Sequence, residues 1–218
     1  MRSAPMQRLM ALLLGVLLSS GCALGGTHNY AEVVPALTVS GTGKLAVATQ
    51  DQRPSITSGN TAPTFVGLVR GGFGNPFQVQ TASGRALADD MTQVMCKALR
   101  DKGFDCVPVL LGPSDTPEEV QRKLQGAAST LALLLVLREW KSDTYINTAL
   151  TYDVTLSVLK RRGDVLATVP SKGVEDLGGG VNAPGHARTA IPLAFKKRLE
   201  ALLNDPEVVA ALQAANRS

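Results

Sequence analysis

The segment TYINTALTYDVTLSVLK, Thr144 to Lys160, constrains this chain more than any other stretch. Ile146, Thr148, Leu150, Tyr152, Val154, Leu156 and Val158 recur at a period of two, while Asn147, Thr151, Asp153, Thr155 and Ser157 occupy the alternate positions. A period of two is that of a β-strand, and the partition predicts one packed face and one wet face. The preceding run TLALLLVLREW, Thr130 to Trp140, is apolar on both faces. A bilayer span needs about 20 apolar residues, so this shorter run is predicted as the central buried strand of a sheet. Arg161-Arg162-Gly163-Asp164 supplies a turn, and VLATVPSKGVEDLG returns as the third strand of a meander.

The rest of the chain supplies what such a sheet requires. Lys44 to Gln50 alternates and stops at Pro54, and Thr64 to Arg70 leads into the Gly-rich loop or hairpin GGFGNPFQVQ. Ser83 is the expected N-cap of a helix to about Lys102, with Asp89 and Asp90 early, Lys97 and Arg100 late, and Gly103 as the stop. Phe104 to Leu111 reads as an edge strand because Pro108 lacks a donor. Thr116 or Asp115 caps a short helix to about Ala127, and two more helices are predicted over about 184–203 and 208–215. The order predicts an α+β fold: one two-layer domain, its mixed, mostly antiparallel sheet ending in a three-stranded meander covered by helices.

The first residues set the compartment. Arg2 and Arg8 precede an apolar stretch, Leu9 to Leu18, followed by Ser19, Ser20 and Gly21. That is the layout of a signal peptide over residues 1–21. Cys22, placed after Leu17-Leu18-Ser19-Ser20-Gly21, resembles the lipobox cysteine of bacterial lipoprotein precursors, although Ser19 stands where most carry Leu. An ordinary signal-peptidase site after a small residue is the alternative. On the lipoprotein reading Cys22 carries three acyl chains, and chains adding about 0.8 kcal/mol per buried CH₂ anchor the protein firmly. Ala23 in place of Asp favours the outer membrane, facing the periplasm, by resemblance to the known sorting rule. Residues 22–43 then read as a lipidated N-terminus and tether, with Val33 to Leu37 able to dock, and 44–218 as the periplasmic domain.

Removing residues 1–21 removes two arginines and no acid, so 20 basic and 18 acidic side chains remain. A net charge near neutrality carries no nucleic-acid footprint. Apart from Cys22, Cys96 and Cys106 form an even pair in an oxidising compartment. Two outcomes stay open: a disulfide closing a short loop, or two independent thiols. Helical phase argues for the second, since Cys96 falls about 140° from the face of Leu87, Met91, Val94, Met95 and Ala98.

The lipobox, LAVATQDQRP, the helix ending in Lys-Gly-Phe, TYDVTLSVLKRRGDVLA and the terminal NDPEVVAAL together resemble the YajG-type family of bacterial envelope lipoproteins. Asp51 and Arg53 match a strand end, Asp-x-Arg, of that family, whereas the insert Pro54 to Thr81 departs from it. The resemblance implies an envelope location and a small α/β fold, not a ligand. A second, layout-based resemblance is to auxiliary lipoproteins of ABC-type lipid-transport systems.

Chemistry-bearing patterns are few. The two histidines, His28 in the tether and His186 in a loop, make no helix-borne metal pair, and no catalytic motif, metal or cofactor is expected. His186 with Glu175 or Asp176 is the one conceivable base dyad, with a solvated histidine as the simpler reading. Gly72 and Gly74 lack the rest of a phosphate-binding motif. Phe73 and Phe77 on that Gly-rich tip are candidate contacts for a partner or lipid. Asp51 and Arg53, two apart at a strand end, share a face and can pair with each other or with a neighbouring loop, a structural role, with ligand binding as the alternative. The expected function is non-enzymatic: an outer-membrane-anchored periplasmic lipoprotein binding an envelope protein partner or supporting envelope assembly. Carriage of a small apolar ligand, or service to a lipid-transport system, is the alternative.

Overall fold

A computed structural model describes residues 25–215, so the expected signal peptide, residues 1–21, and Cys22 lie outside the described residues. Its eight strands, β1 (Gly26–His28), β2 (Lys44–Asp51), β3 (Phe65–Arg70), β4 (Pro76–Thr81), β5 (Asp105–Pro108), β6 (Leu131–Thr144), β7 (Asn147–Lys160) and β8 (Val165–Gly179), form one mixed sheet. The helices among the described residues are α1 (Pro54–Thr57), α2 (Leu87–Arg100), α3 (Pro117–Gly126), α4 (Ala183–Leu203) and α5 (Pro206–Ala215). The domain is α+β, as the alternation requires.

The central strand is β6, and its length organises everything else. One edge carries β7 antiparallel along almost its whole extent, and β7 carries β8 in turn. The other edge is shared. Leu131 to Leu137 pair in parallel with β2, and Ser142 to Thr144 pair in parallel with β3. Beyond β2 lies β5, and beyond β3 lie β4 and then β1. The sheet therefore forks into two wings. The insert Pro54 to Thr81, unmapped in the sequence, builds α1 and the β3–β4 hairpin, hence most of one wing.

Packing follows the predicted faces. Thr148, Leu150, Tyr152, Val154, Leu156 and Val158 are buried, and Ile146, in the β6–β7 turn, is exposed. Their face meets α2, α4 and α5 in the main core, whereas α3 covers Ala46, Ala48 and Ala132 on the opposite face in a smaller cluster.

The tether expected over residues 22–43 is corrected for its described part, and with it the domain boundary at 44. Residues 25–43 belong to the fold. β1 pairs with β4, Tyr30 is 0% exposed, and Leu37 and Val39 are core residues. The amides of Ala36 and Thr38 donate to Glu200 Oε1 (2.7 Å) and Asn204 Oδ1 (2.8 Å), and Asn204 Nδ2 donates to Ala36 O (2.9 Å). Side chains at the end of α4 thus satisfy an extended segment that has few strand partners, which local periodicity does not reveal.

Two further expectations around α2 change. Ser83 does not cap the helix, whose N-cap is Ala86; its hydroxyl instead donates to Asp90 Oδ2 (2.6 Å), and Arg85 Nε donates to Asp90 Oδ1 (2.9 Å). Asp90 is fully buried, and those two partners satisfy it. Cys96 and Cys106 are joined as a disulfide with Cα atoms 5.4 Å apart. The phase argument misled because α2 buries far more than one stripe. Ala88, Asp90, Thr92 and Cys96 are buried together with Leu87, Met91 and Met95, and Cys96 turns to β5 rather than to the meander.

Candidate functional site: a cleft where the chain enters the domain

Tyr30 is the anchor of the entering chain. Its ring makes edge contacts with Phe195 of α4 (centroids 4.9 Å) and Trp140 of β6 (6.3 Å), and Trp140 Nε1 donates to Tyr30 Oη at 3.2 Å. Burial pushes the Tyr30 hydroxyl far above its ordinary range, so it stays neutral. An aromatic cluster of this kind, with its polar tips paired, seats Tyr30 between β6 and α4.

Beside Tyr30, His28 is buried, with Nε2 3.3 Å from Ser142 Oγ and Nδ1 without a protein partner. Burial, assisted by the Arg188 charge, lowers its pKa from 6.5 to about 4. His28 is therefore neutral near pH 7 and forms part of the wall of a cleft of ≈ 230 Å³. Gly25 and Gly26 border this cleft, Val69, Phe77 and Val79 of the hairpin form its apolar side, and Ala187 of α4 closes it.

The rim carries two arginines, one of them paired. Arg70 donates twice to Asp143, Nε to Oδ1 at 2.8 Å and Nη2 to Oδ2 at 2.6 Å, and this pairing holds the Asp143 carboxyl below the usual range. Arg188 is exposed and makes no ion pair among the described residues. The arrangement can receive a small apolar group or an anionic one at its mouth. No base, nucleophile and orienting group converge there.

The two candidate contact aromatics are separated. Phe77 lines the cleft and packs close to Gly71, whereas Phe73 stands fully exposed at the hairpin tip. Asp51 and Arg53 do meet. Arg53 Nε donates to Asp51 Oδ1 (2.9 Å) and Nη2 to Oδ2 (2.7 Å), while Nη1 donates to the carbonyls of Phe65 (2.6 Å) and Trp140 (3.3 Å). This is a structural clamp between the two wings.

The possible dyad at His186 does not assemble. His186 Nε2 lies 2.8 Å from Leu177 O, Asp176 Oδ1 accepts from the Gly178 amide, and Glu175 pairs with Arg198 at 2.6 Å. Among the described residues no three His, Cys, Asp or Glu side chains cluster as metal ligands. A second cleft, ≈ 200 Å³, lies under α3 against Leu134 and Leu159, with Gln50 held at its edge by a bond to Asp115 O (2.8 Å). Sequence reasoning missed the first cleft because its walls come from β1, the hairpin and α4, three segments far apart in the chain. The one local signal was the pair of aromatics on the Gly-rich tip.

No family model matches the chain, and no curated protein matches it either. Solved structures do. A Xanthomonas campestris protein of the family-model DUF330 is 16% identical over 89% of this chain and 98% of its own, with a TM-score of 0.52. The PelC dodecamer from Paraburkholderia phytofirmans is 12% identical over 78% of this chain and 94% of its own, at a TM-score of 0.41 in a mutant form. A lipoprotein from Neisseria meningitidis is 13% identical over 72% and 99%, at 0.27. The first of these shares the mixed α/β fold.

Proposed function

We propose that this chain is an outer-membrane-anchored periplasmic lipoprotein, of the YajG-type kind its sequence resembles, that acts by binding an envelope protein partner and not by catalysis. The observation carrying this reading is the position of β1. Gly26 is already paired in the sheet, four residues after Cys22, so acyl chains on Cys22 hold a folded domain close against the bilayer. Among the described residues no helix is long and apolar enough to cross a membrane, and the anchor of this reading is the lipid.

The two clefts described above, at ≈ 200 and ≈ 230 Å³, are smaller than the roughly 300–1,000 Å³ of sites that enclose a drug-sized ligand, whereas a surface groove along Leu131, Arg161 and Leu166 measures ≈ 670 Å³ and reaches that range. Their largely apolar walls support the second reading, in which a small apolar ligand is carried, or the chain serves a lipid-transport system as an auxiliary.

The test is the intact mass of membrane-extracted protein beside that of Cys22→Ala, with membrane fractionation and crosslinking in the envelope. A triacylated mass, outer-membrane fractionation and a crosslinked protein neighbour are expected. A soluble, unacylated chain defeats the anchor, and extractable lipid without a protein neighbour favours the carrier.

A further inference from the structure

Four large apolar side chains stand in water at one end of the sheet. Phe73 and Val181 are fully exposed, Ile146 is 69% exposed and Tyr145 45%. Register places them together. Val69 of β3 pairs with Thr144 of β6, so the hairpin tip lies beside the β6–β7 turn, and Tyr145 Oη donates to Gly72 O at 3.3 Å. Gly179 pairs with Asn147, and the Gly180 amide donates to Ile146 O at 3.2 Å, so Val181 follows at the same end.

The chain enters the domain at this end. β1 is parallel to β4, with Gly26 opposite Val79 and His28 opposite Thr81, so the direction toward residue 25 is the direction toward Pro76 and the tip. Three peptide steps of at most about 3.6 Å each put Cys22 within roughly 11 Å of Gly25. The exposed Arg188 adds positive charge beside the same cleft, and Arg70 is already neutralised by Asp143.

We propose that this end, Phe73, Tyr145, Ile146 and Val181 with Arg188, is a membrane-docking face whose occupant is the headgroup layer of the bilayer. The proposal rests on the lipid-anchor reading above. Aromatic and aliphatic tips enter the headgroup and acyl boundary, and the arginine meets lipid phosphate. The anchor holds the domain near the membrane, and this face sets its orientation: β6, about 46 Å long at 3.3 Å per residue, stands away from the surface and presents the β7–β8 turn to the periplasm.

The test uses the full mature chain, acylated, in vesicles of phosphatidylethanolamine and phosphatidylglycerol containing brominated lipid. Phe73→Trp reports on the proposed face, and Val165→Trp reports on the opposite end of the sheet. Native Trp140 is buried and serves as an internal constant. Docking predicts that Phe73→Trp shifts to the blue and loses most of its added emission to brominated lipid, while Val165→Trp keeps its own. An acylated chain that floats with vesicles yet leaves the added tryptophan at position 73 water-like and unquenched overturns the docking face and leaves the anchor reading standing. Protein extracted from its native envelope without acyl chains on Cys22, whose added tryptophan at position 73 stays unquenched, overturns both. Quenching of Phe73→Trp in the Cys22→Ala chain that Ile146→Asp with Val181→Asp abolishes supports the face independently of the anchor.

Discussion

Arg53 grips Asp51 through two parallel hydrogen bonds of 2.9 and 2.7 Å, and each side chain is only 3% exposed. The same guanidinium also reaches the carbonyls of Phe65 and Trp140, so one buried ion pair ties β2, the start of β3 and the centre of β6 together. Removing one partner of such a pair strands the other charge. Arg53→Ala should therefore cost about 3–5 kcal/mol in urea unfolding, whereas Asp51→Leu with Arg53→Met should cost less than the single change. Arg53→Lys should not restore stability, because an ammonium cannot make the paired contacts.

The Cys96–Cys106 bridge closes a loop of sequence separation 10, and both residues are buried. Cys96→Ala with Cys106→Ala should lower stability by about 2–3 kcal/mol by loop-closure entropy, read from denaturant midpoints. Thiol labelling of the native protein in reductant should be slow, since the reagent has to wait for local opening.

His28 makes the fold sensitive to mild acid. Its pKa falls from 6.5 to about 4 in the folded state, so between those values the unfolded chain binds a proton that the folded chain refuses. Stability from this residue is complete above pH 6.5, declines as pH drops toward 4 and is flat below. The decline amounts to at most about 3 kcal/mol. His28→Asn should flatten that part of the curve in urea titrations taken across the window.

Gly67 lies where β3 meets β6, and a Cβ there would collide with the backbone and hydroxyl of Ser142. Gly67→Ala should push the hairpin wing off the central strand and cost about 1–3 kcal/mol. Hydrogen exchange should then quicken in β3 and β4 while β7 and β8 keep their protection.

Phe73 is fully exposed and touches no core residue, so Phe73→Ser should change unfolding free energy by less than about 0.5 kcal/mol. That neutrality separates its surface role from any part in the fold.

The meander and the four longer helices, α2 to α5, were legible because each carries its signal locally. Alternation in β7, the apolar block of β6 and the Thr116 capping box each report on neighbours within a few residues. The segment 25–43 was not legible in this way. Tyr30 is buried because Trp140 and Phe195 surround it, and both lie more than a hundred residues away. Cys96 similarly points to β5 because α2 is enclosed on several sides, a fact that helical phase alone does not contain.

By itself, then, the chain's order of residues determined the types of the longer strands and helices and the buried face of the meander, since spacing and period settle these at short range. Tertiary structure alone decided that the entering segment is part of the domain, that β6 serves two wings, and that Phe73, Tyr145, Ile146 and Val181 share one end. Those relations depend on sheet register and on packing between distant segments, and burial of apolar surface rewards them only once the whole sheet has closed.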